Sequence, residues 1–284
     1  VCRRQGAALQ APSGGGNARM TTQSGSGTVY LVGAGPGAPD LLTLRAARLL
    51  AEADIVFYDA LVHPETIELA QRADKVAVGK RCGRHSTLQR FINKRLVDAA
   101  RKHRVVVRLK GGDPMLFGRA QEEIDELEAA GIHYEVVPGV TAALAASAAI
   151  DTSLTRRGLS RNVAFVTPRV GEGENSADWS GIVRHADTTV MYMAAGQAAA
   201  IAQRLIAEGL PVRTPVVIVE NASLPDMKTN AFALEELACG VDCTTHGGPA
   251  LLMIGRVFDR LLAQRASVID AAALDELVIL AARA

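Results

Sequence analysis

The residues whose types and spacing bear on chemistry sit at a few turns. Gly33-Ala34-Gly35-Pro36-Gly37 directly follows the short apolar run Val29–Val32. Glycines there let the backbone come close to a ligand, because no Cβ stands in the way. Lys110-Gly111-Gly112-Asp113-Pro114 closes a second apolar run, Val105–Leu109, and offers the Asp113 carboxylate to hydroxyl or amino groups. Asp59 lies just past a third run, Ile55–Tyr58. A carboxylate at a strand's carboxyl end suits catalysis, although an isolated aspartate there is more often a cap or turn residue. Two basic runs complete the set: Gly79-Lys80-Arg81-Cys82-Gly83-Arg84-His85 and Thr155-Arg156-Arg157-Gly158-Leu159-Ser160-Arg161. Arginine forks match carboxylates and phosphates. A solvated charged face is the ordinary reading of either run alone. Two such loops punctuated by glycine suggest a polyanionic small molecule.

The elements that must position these turns alternate. Val29–Val32, Ile55–Tyr58, Val76–Val78, the β-branched run Val105–Leu109 and Tyr134–Val137 read as strands. Asp40–Ala53, Leu88–Lys102 and Ala120–Ala130 read as helices between them, with Asp40 a candidate cap. The pattern then restarts. Val163–Thr167, Val190–Met193, Val216–Glu220 and Leu251–Ile254 read as strands, and Gln197–Glu208 as a helix. Alternation of this kind specifies an α/β fold. The expected organisation is a tail at residues 1–27, an N-terminal α/β domain at 28–138, a C-terminal α/β domain at 139–262 and a helical tail at 263–284. The Ala-rich segment Thr141–Ile150 is the expected bridge, and the polar stretch Gly171–Ser180 reads as a loop. A cleft between two such domains is a favoured ligand site.

Composition narrows the function further. The formal charge of the 284 residues is +1, without the basic excess of a general nucleic-acid binder. With 49% hydrophobic residues the chain is globular in composition. No apolar run approaches the about 18 residues of a membrane span. Four cysteines do not make a disulfide framework, and reduced thiols in the cytoplasm are expected. Cys239, Cys243 and His246 lack the fourth ligand that a structural zinc site requires, so no metal is expected. Ala38 stands where a dinucleotide fingerprint needs its third glycine, which disfavours a nicotinamide-dependent oxidoreductase.

Taken together, the motifs resemble those of the tetrapyrrole methylases. Val32–Gly37 followed by Leu41-Leu42-Thr43 is similar to the family's opening signature. Tyr58-Asp59, Gly79-Lys80-Arg81, Gly111-Gly112-Asp113-Pro114, Phe117-Gly118-Arg119, Val137–Ala142 and Pro249-Ala250-Leu251 follow in matching order. The Gly-Lys-Arg and Gly-Gly-Asp-Pro motifs resemble the branch that methylates uroporphyrinogen III. The resemblance implies a cytoplasmic homodimer of two-domain subunits with S-adenosylmethionine between the domains, leaving as S-adenosylhomocysteine. It implies methyl transfer to C2 and C7 of uroporphyrinogen III, giving precorrin-2 for siroheme or cobalamin. Cofactor contacts carry over to Pro36, Gly111, Gly112, Asp113, Leu116, Thr141, Ala142, Met193, Ala222 and Ala250. Asp59 carries over as the base and Lys80 as the acid, with Arg119, Glu122 and Arg157 toward the substrate.

The sequence departs from the family pattern where Arg156 and Arg169 replace histidines and where Asp151-Thr152-Ser153 precede Leu154. These changes add positive charge beside the expected substrate region. A methylase acting on a later corrin precursor is the nearest alternative, and a tetrapyrrole-binding module without turnover is a more distant one. No segment resembles the dehydrogenase and ferrochelatase region that some siroheme synthases fuse to such a methylase.

Overall fold

The computed structural model describes residues 25–78, 86–171, 178–241, 243 and 248–267. In the first half, β1 (Thr28–Gly33), β2 (Ile55–Tyr58), β3 (Asp74–Ala77), β4 (Val105–Lys110) and β5 (His133–Val137) pair in parallel, in the order β3-β2-β4-β1-β5. The crossovers carry α1 (Leu44–Glu52), α2 (Pro64–Glu68), α3 (Ser86–Ala100) and α4 (Ala120–Ala129). A parallel sheet needs such crossovers, and helices on both faces require apolar residues on both. Side chains alternate along a strand. Along β4, Val106 therefore joins a core with Leu96 of α3 and Ile124 and Leu127 of α4, while Val107 and Leu109 join Leu49 and Leu50 of α1 on the other face.

The same alternation carries Arg108 and Lys110 onto the face of Val106. Ile55 and Phe57 of β2 occupy that face too, and the register sets Phe57 beside Arg108. The apolar face thus turns ionic at its carboxyl end, under α3 and α4.

The second half opens with α5 (Ala142–Ala149). It continues with β6 (Val163–Val166), α6 (Trp179–His185), β7 (Thr188–Tyr192), α7 (Ala198–Ala207), β8 (Pro215–Glu220), β9 (Lys228–Ala233), α8 (Leu234–Ala238) and β10 (Ala250–Gly255). The sheet order is β6-β7-β10-β8-β9, with β6 and β7 parallel and the other pairs antiparallel. Trp179, Ile201, Leu205 and Leu237 cover one face. On the other, Ala143 and Ala146 of α5 pack against Val190, Val217 and Met253. Leu41 of the first half packs on this second cluster, so the halves share apolar contact.

Several expectations are corrected. Asp40 caps no helix; it lies in a separate 3₁₀ turn, Pro39–Leu41. The cap of α1 is Thr43, whose Oγ1 accepts from the Ala46 N–H at 3.1 Å. The stretch Gly171–Ser180 is not all loop, because Trp179 and Ser180 begin α6 behind the cap Asp178. β9 and α8 went unread: Lys228–Ala233 has a polar first half and an apolar second half, with no apolar run to announce a strand. Residues 259–267 are helical, and the expected C-terminal helical tail is described no further.

Candidate active site at the junction of the two halves

Four adjacent strands, β2, β4, β1 and β5, deliver their carboxyl ends to one edge of the parallel sheet. Ligands of open α/β sheets bind outside such ends. The loops after β1, β4 and β5 interlock. The Ala34 N–H donates to the Lys110 carbonyl at 2.7 Å, and Gly35 and Gly112 exchange backbone hydrogen bonds of 3.2 and 2.7 Å. A Cβ on Gly33 would fall 2.6 Å from the Gly139 Cα, so only glycine lets the loops after β1 and β5 touch. Asp113 fastens the third loop. Its Oδ1 accepts from the Met115 N–H at 2.8 Å and its Oδ2 from the Gly139 N–H at 2.9 Å.

This first rim carries the expected cofactor residues Pro36, Gly111, Gly112, Asp113, Leu116, Thr141 and Ala142. The expected residues Met193, Ala222 and Ala250 form a second rim. They lie at the ends of β7 and β8 and at the start of antiparallel β10, where Leu251 pairs with Tyr192 and Ala250 with Glu220. Met193, Asn221 and Ser223 hold left-handed backbone angles, with φ of 56°, 51° and 73°. Such angles cost about 1–3 kcal/mol each in non-glycine residues and gather at functional sites.

Direct bonds join the rims. The Ala38 N–H donates to Ser223 Oγ at 3.1 Å. The Tyr192 hydroxyl lies 2.6 Å from Thr141 Oγ1 and accepts from the Ala143 N–H at 3.3 Å. Phe117 and Phe165 pack on the Tyr192 ring, with centroids 5.1 and 6.2 Å away. Burial pushes the Tyr192 phenol up, against the opposing pull of the bonds to Thr141 and Ala143, so it is a neutral strut at physiological pH.

Asp59 stands at the end of β2, beside this junction. Its Oδ1 accepts from Arg108 Nη2 at 2.6 Å. Arg108 Nε donates to Glu123 Oε1 at 2.9 Å, and Lys110 Nζ to Glu123 Oε2 at 2.9 Å. The Arg108, Lys110 and Glu123 side chains are at most 3% exposed, whereas Asp59 is 30% exposed. Burial acts to lower the Arg108 guanidinium, but the charges of Asp59 and Glu123 outweigh it and the net shift is upward. Lys110 is lowered, by burial first and then by Arg108. From sequence alone Lys110 reads only as part of a turn, Glu123 only as a neighbour of Glu122, and Arg108 only as part of a strand. The signal was present as a cation inside the β-branched run Val105–Lys110.

Of the expected substrate residues, Arg119 and Glu122 are brought together. Arg119 starts α4 in a left-handed conformation, φ 54°. It forks onto Glu122 with Nε–Oε1 and Nη2–Oε2 distances of 2.6 and 2.7 Å. Arg157 lies apart from this pair along the chain, exposed on the turn closed by Arg156 and Ser160. Among the described residues, Arg156 and Arg157 have no carboxylate partner. Lys80, with the loop Gly79–His85, lies outside the described residues, as does His246. Cys239 and Cys243 are free thiols.

Residues 28–238 match the family described as Tetrapyrrole (Corrin/Porphyrin) Methylases. The chain belongs to the tetrapyrrole methylases. It is 44% identical, over 81% of its length, to the siroheme synthase of Azotobacter vinelandii, and it spans 50% of that relative. It thus spans about half the length of the curated relatives it matches. A solved uroporphyrin-III C-methyl transferase from Thermus thermophilus, complexed with S-adenyl homocysteine, is similar at TM-score 0.71 and 42% identity, over 82% of this chain and 99% of that one. A cobalt precorrin-4 methyltransferase gives the same TM-score of 0.71 at 27% identity, covering 81% and 95%. Backbone likeness therefore does not separate these two tetrapyrrole methylases as relatives, whereas sequence does.

Proposed function

We propose that the chain transfers methyl groups from S-adenosylmethionine to C2 and C7 of uroporphyrinogen III, giving precorrin-2 in siroheme or cobalamin biosynthesis. The observation that carries this reading is the meeting of Gly33–Gly37, Gly111–Pro114 and Pro138–Thr141 beside Asp59, opposite Met193, Ala222 and Ala250. The rims suit the cofactor. A Cβ at Gly112 would find no atom nearer than the Thr141 Cα at 3.9 Å, a gap that a side chain would fill and a ligand can. Pro36, Gly111, Gly112, Leu116, Thr141 and Ala142 would hold it from one side, and Met193, Ala222 and Ala250 from the other. Asp113 contributes by keeping the rim in shape. When bound, S-adenosylmethionine supplies a methyl group on a sulfonium centre already activated for transfer.

The chain's own work is then positioning and proton movement. Methylation at a ring carbon leaves the macrocycle a proton to lose. Asp59 Oδ2 accepts it, because Oδ1 is engaged by Arg108. Lys80 is the proposed acid. Arg119, Glu122 and Arg157 orient the substrate, whose eight carboxylates suit the exposed guanidinium of Arg157. The substrate is preferred over a later corrin precursor because the uroporphyrin enzyme is the more similar of the two in sequence. We assign the subunit to a cytoplasmic homodimer that binds no nucleic acid. No helix among the described residues is long and apolar enough to cross a membrane.

The test is anaerobic incubation with S-adenosylmethionine and uroporphyrinogen III, read by product mass. A gain of two methyl groups is expected. Retained cofactor binding without methyl gain would overturn the substrate and turn the search to later corrin precursors.

A further inference from the structure

The ionic end of the β4 face has no explanation in stability. Buried ion pairs repay their desolvation poorly, and apolar residues of similar volume often serve a core as well or better. Here two carboxylates and two cations alternate, Asp59–Arg108–Glu123–Lys110, so the group is neutral as a whole. Only Asp59 emerges from it. Glu123 and Arg108 are each held at several points. Glu123 Oε1 also accepts from Gln89 Nε2 at 3.3 Å, and Gln89 is itself held to Asn93 at 2.9 Å. Arg108 has three anchors: Glu123 through Nε, the Leu109 carbonyl through Nη1 at 3.2 Å, and Asp59 through Nη2. A planar guanidinium fixed at two sites has one direction left for the third.

We infer that Arg108 and Glu123 are positioning residues for Asp59: Glu123 locks the Arg108 guanidinium, and Arg108 holds Asp59 by Oδ1 so that Oδ2 alone is left for the substrate proton. Lys110 is the second cation on the buried Glu123 carboxylate, bonded to Oε2 at 2.9 Å. The assignment rests on the reading of Asp59 as the base. A fixed carboxylate matters because a base contributes only when it sits within hydrogen-bond reach of its proton.

A double-mutant cycle tests this in the full chain, with Asp59→Asn, Arg108→Lys and the pair, alongside Glu123→Gln. The measured quantities are kcat, KM for uroporphyrinogen III and affinity for S-adenosylhomocysteine. Asp59→Asn is expected to lower kcat by about a hundredfold or more. Arg108→Lys should lower kcat about tenfold with cofactor affinity nearly unchanged, and Arg108→Gln should do worse than Arg108→Lys. In the Asp59→Asn background Arg108→Lys should add less than about twofold, because its effect runs through a group already removed. Glu123→Gln should move kcat in the same direction and spare KM. Independent, multiplying losses would overturn the inference, as would full turnover in Arg108→Lys. Loss of S-adenosylhomocysteine binding in both Arg108→Lys and Glu123→Gln would overturn it too, since the network would then serve the fold alone. Full turnover in Asp59→Asn overturns the base itself, and the single variant shows that without reference to Arg108.

Discussion

The Asp113 carboxylate spends both oxygens on backbone N–H groups, one in its own loop and one in the loop after β5. An asparagine there keeps one acceptor and turns an amide N–H toward a backbone N–H. Asp113→Asn is therefore expected to cost about 1–3 kcal/mol, read by urea denaturation, and to weaken S-adenosylhomocysteine binding in a titration. A carboxylate after two glycines was legible as important, but its partner was not. Gly139 reaches it only because β5 pairs beside β1, a tertiary fact with no local trace. Asp59 was legible by its place after an apolar run, whereas the guanidinium that orients it was hidden by the strong strand character of its neighbours.

At the scale of elements, the glycines that matter are those where two backbones meet. Gly33→Ala would drive a Cβ into the Gly139 backbone, which has no side chain to move aside. Its expected result is a loss of cofactor binding with a lowered melting temperature, measured together by titration and thermal unfolding. Asp54 ties the start of β4 to the end of the turn before β2, with Oδ2 2.9 Å from the N–H groups of Arg104 and Val105. The bond from Val105 leads in holding this carboxyl below its ordinary 3.8, and a smaller pull from Arg104 joins it against desolvation. A lowered folded value means that the stabilisation is whole above the ordinary value and fades as pH falls through the folded one. Asp54→Asn should thus lose less stability on acidification than the parent, and equal acid sensitivity of the two in urea midpoints would refute this. β1, β2 and β4 were readable because, largely buried, they are near-continuous apolar runs. β9 was not, since an edge strand with one end in water has a mixed composition.

The whole molecule closes its site by joining two sheets that were separately legible in the sequence. The joint was not legible, because Ala38 and Ser223, which bond across it, sit in different halves 185 residues apart and neither is unusual in its local setting. Tyr192→Phe keeps the ring packing on Phe117 and removes the hydroxyl bonded to Thr141 and Ala143. Cofactor affinity is expected to fall by about tenfold, in line with about 1–1.5 kcal/mol for such a hydrogen bond, with little change in thermal stability. Unchanged affinity in calorimetry would show that the strut is dispensable.

The strand order has a consequence for how the chain folds. β1 lies between β4 and β5, with Thr28 registered against Val105 on one side and His133 on the other. This strand, near the start of the described chain, thus has no sheet neighbour until much later sequence exists. During synthesis it must wait, both edges open, while β2 and β3 emerge and pair only with each other. Long-range parallel pairing is slow because loop closure precedes any reward. The first half should therefore assemble late and in one step, when β4 arrives to bridge β2 and β1, and the glycine loops and Asp59 should come into place in that same event.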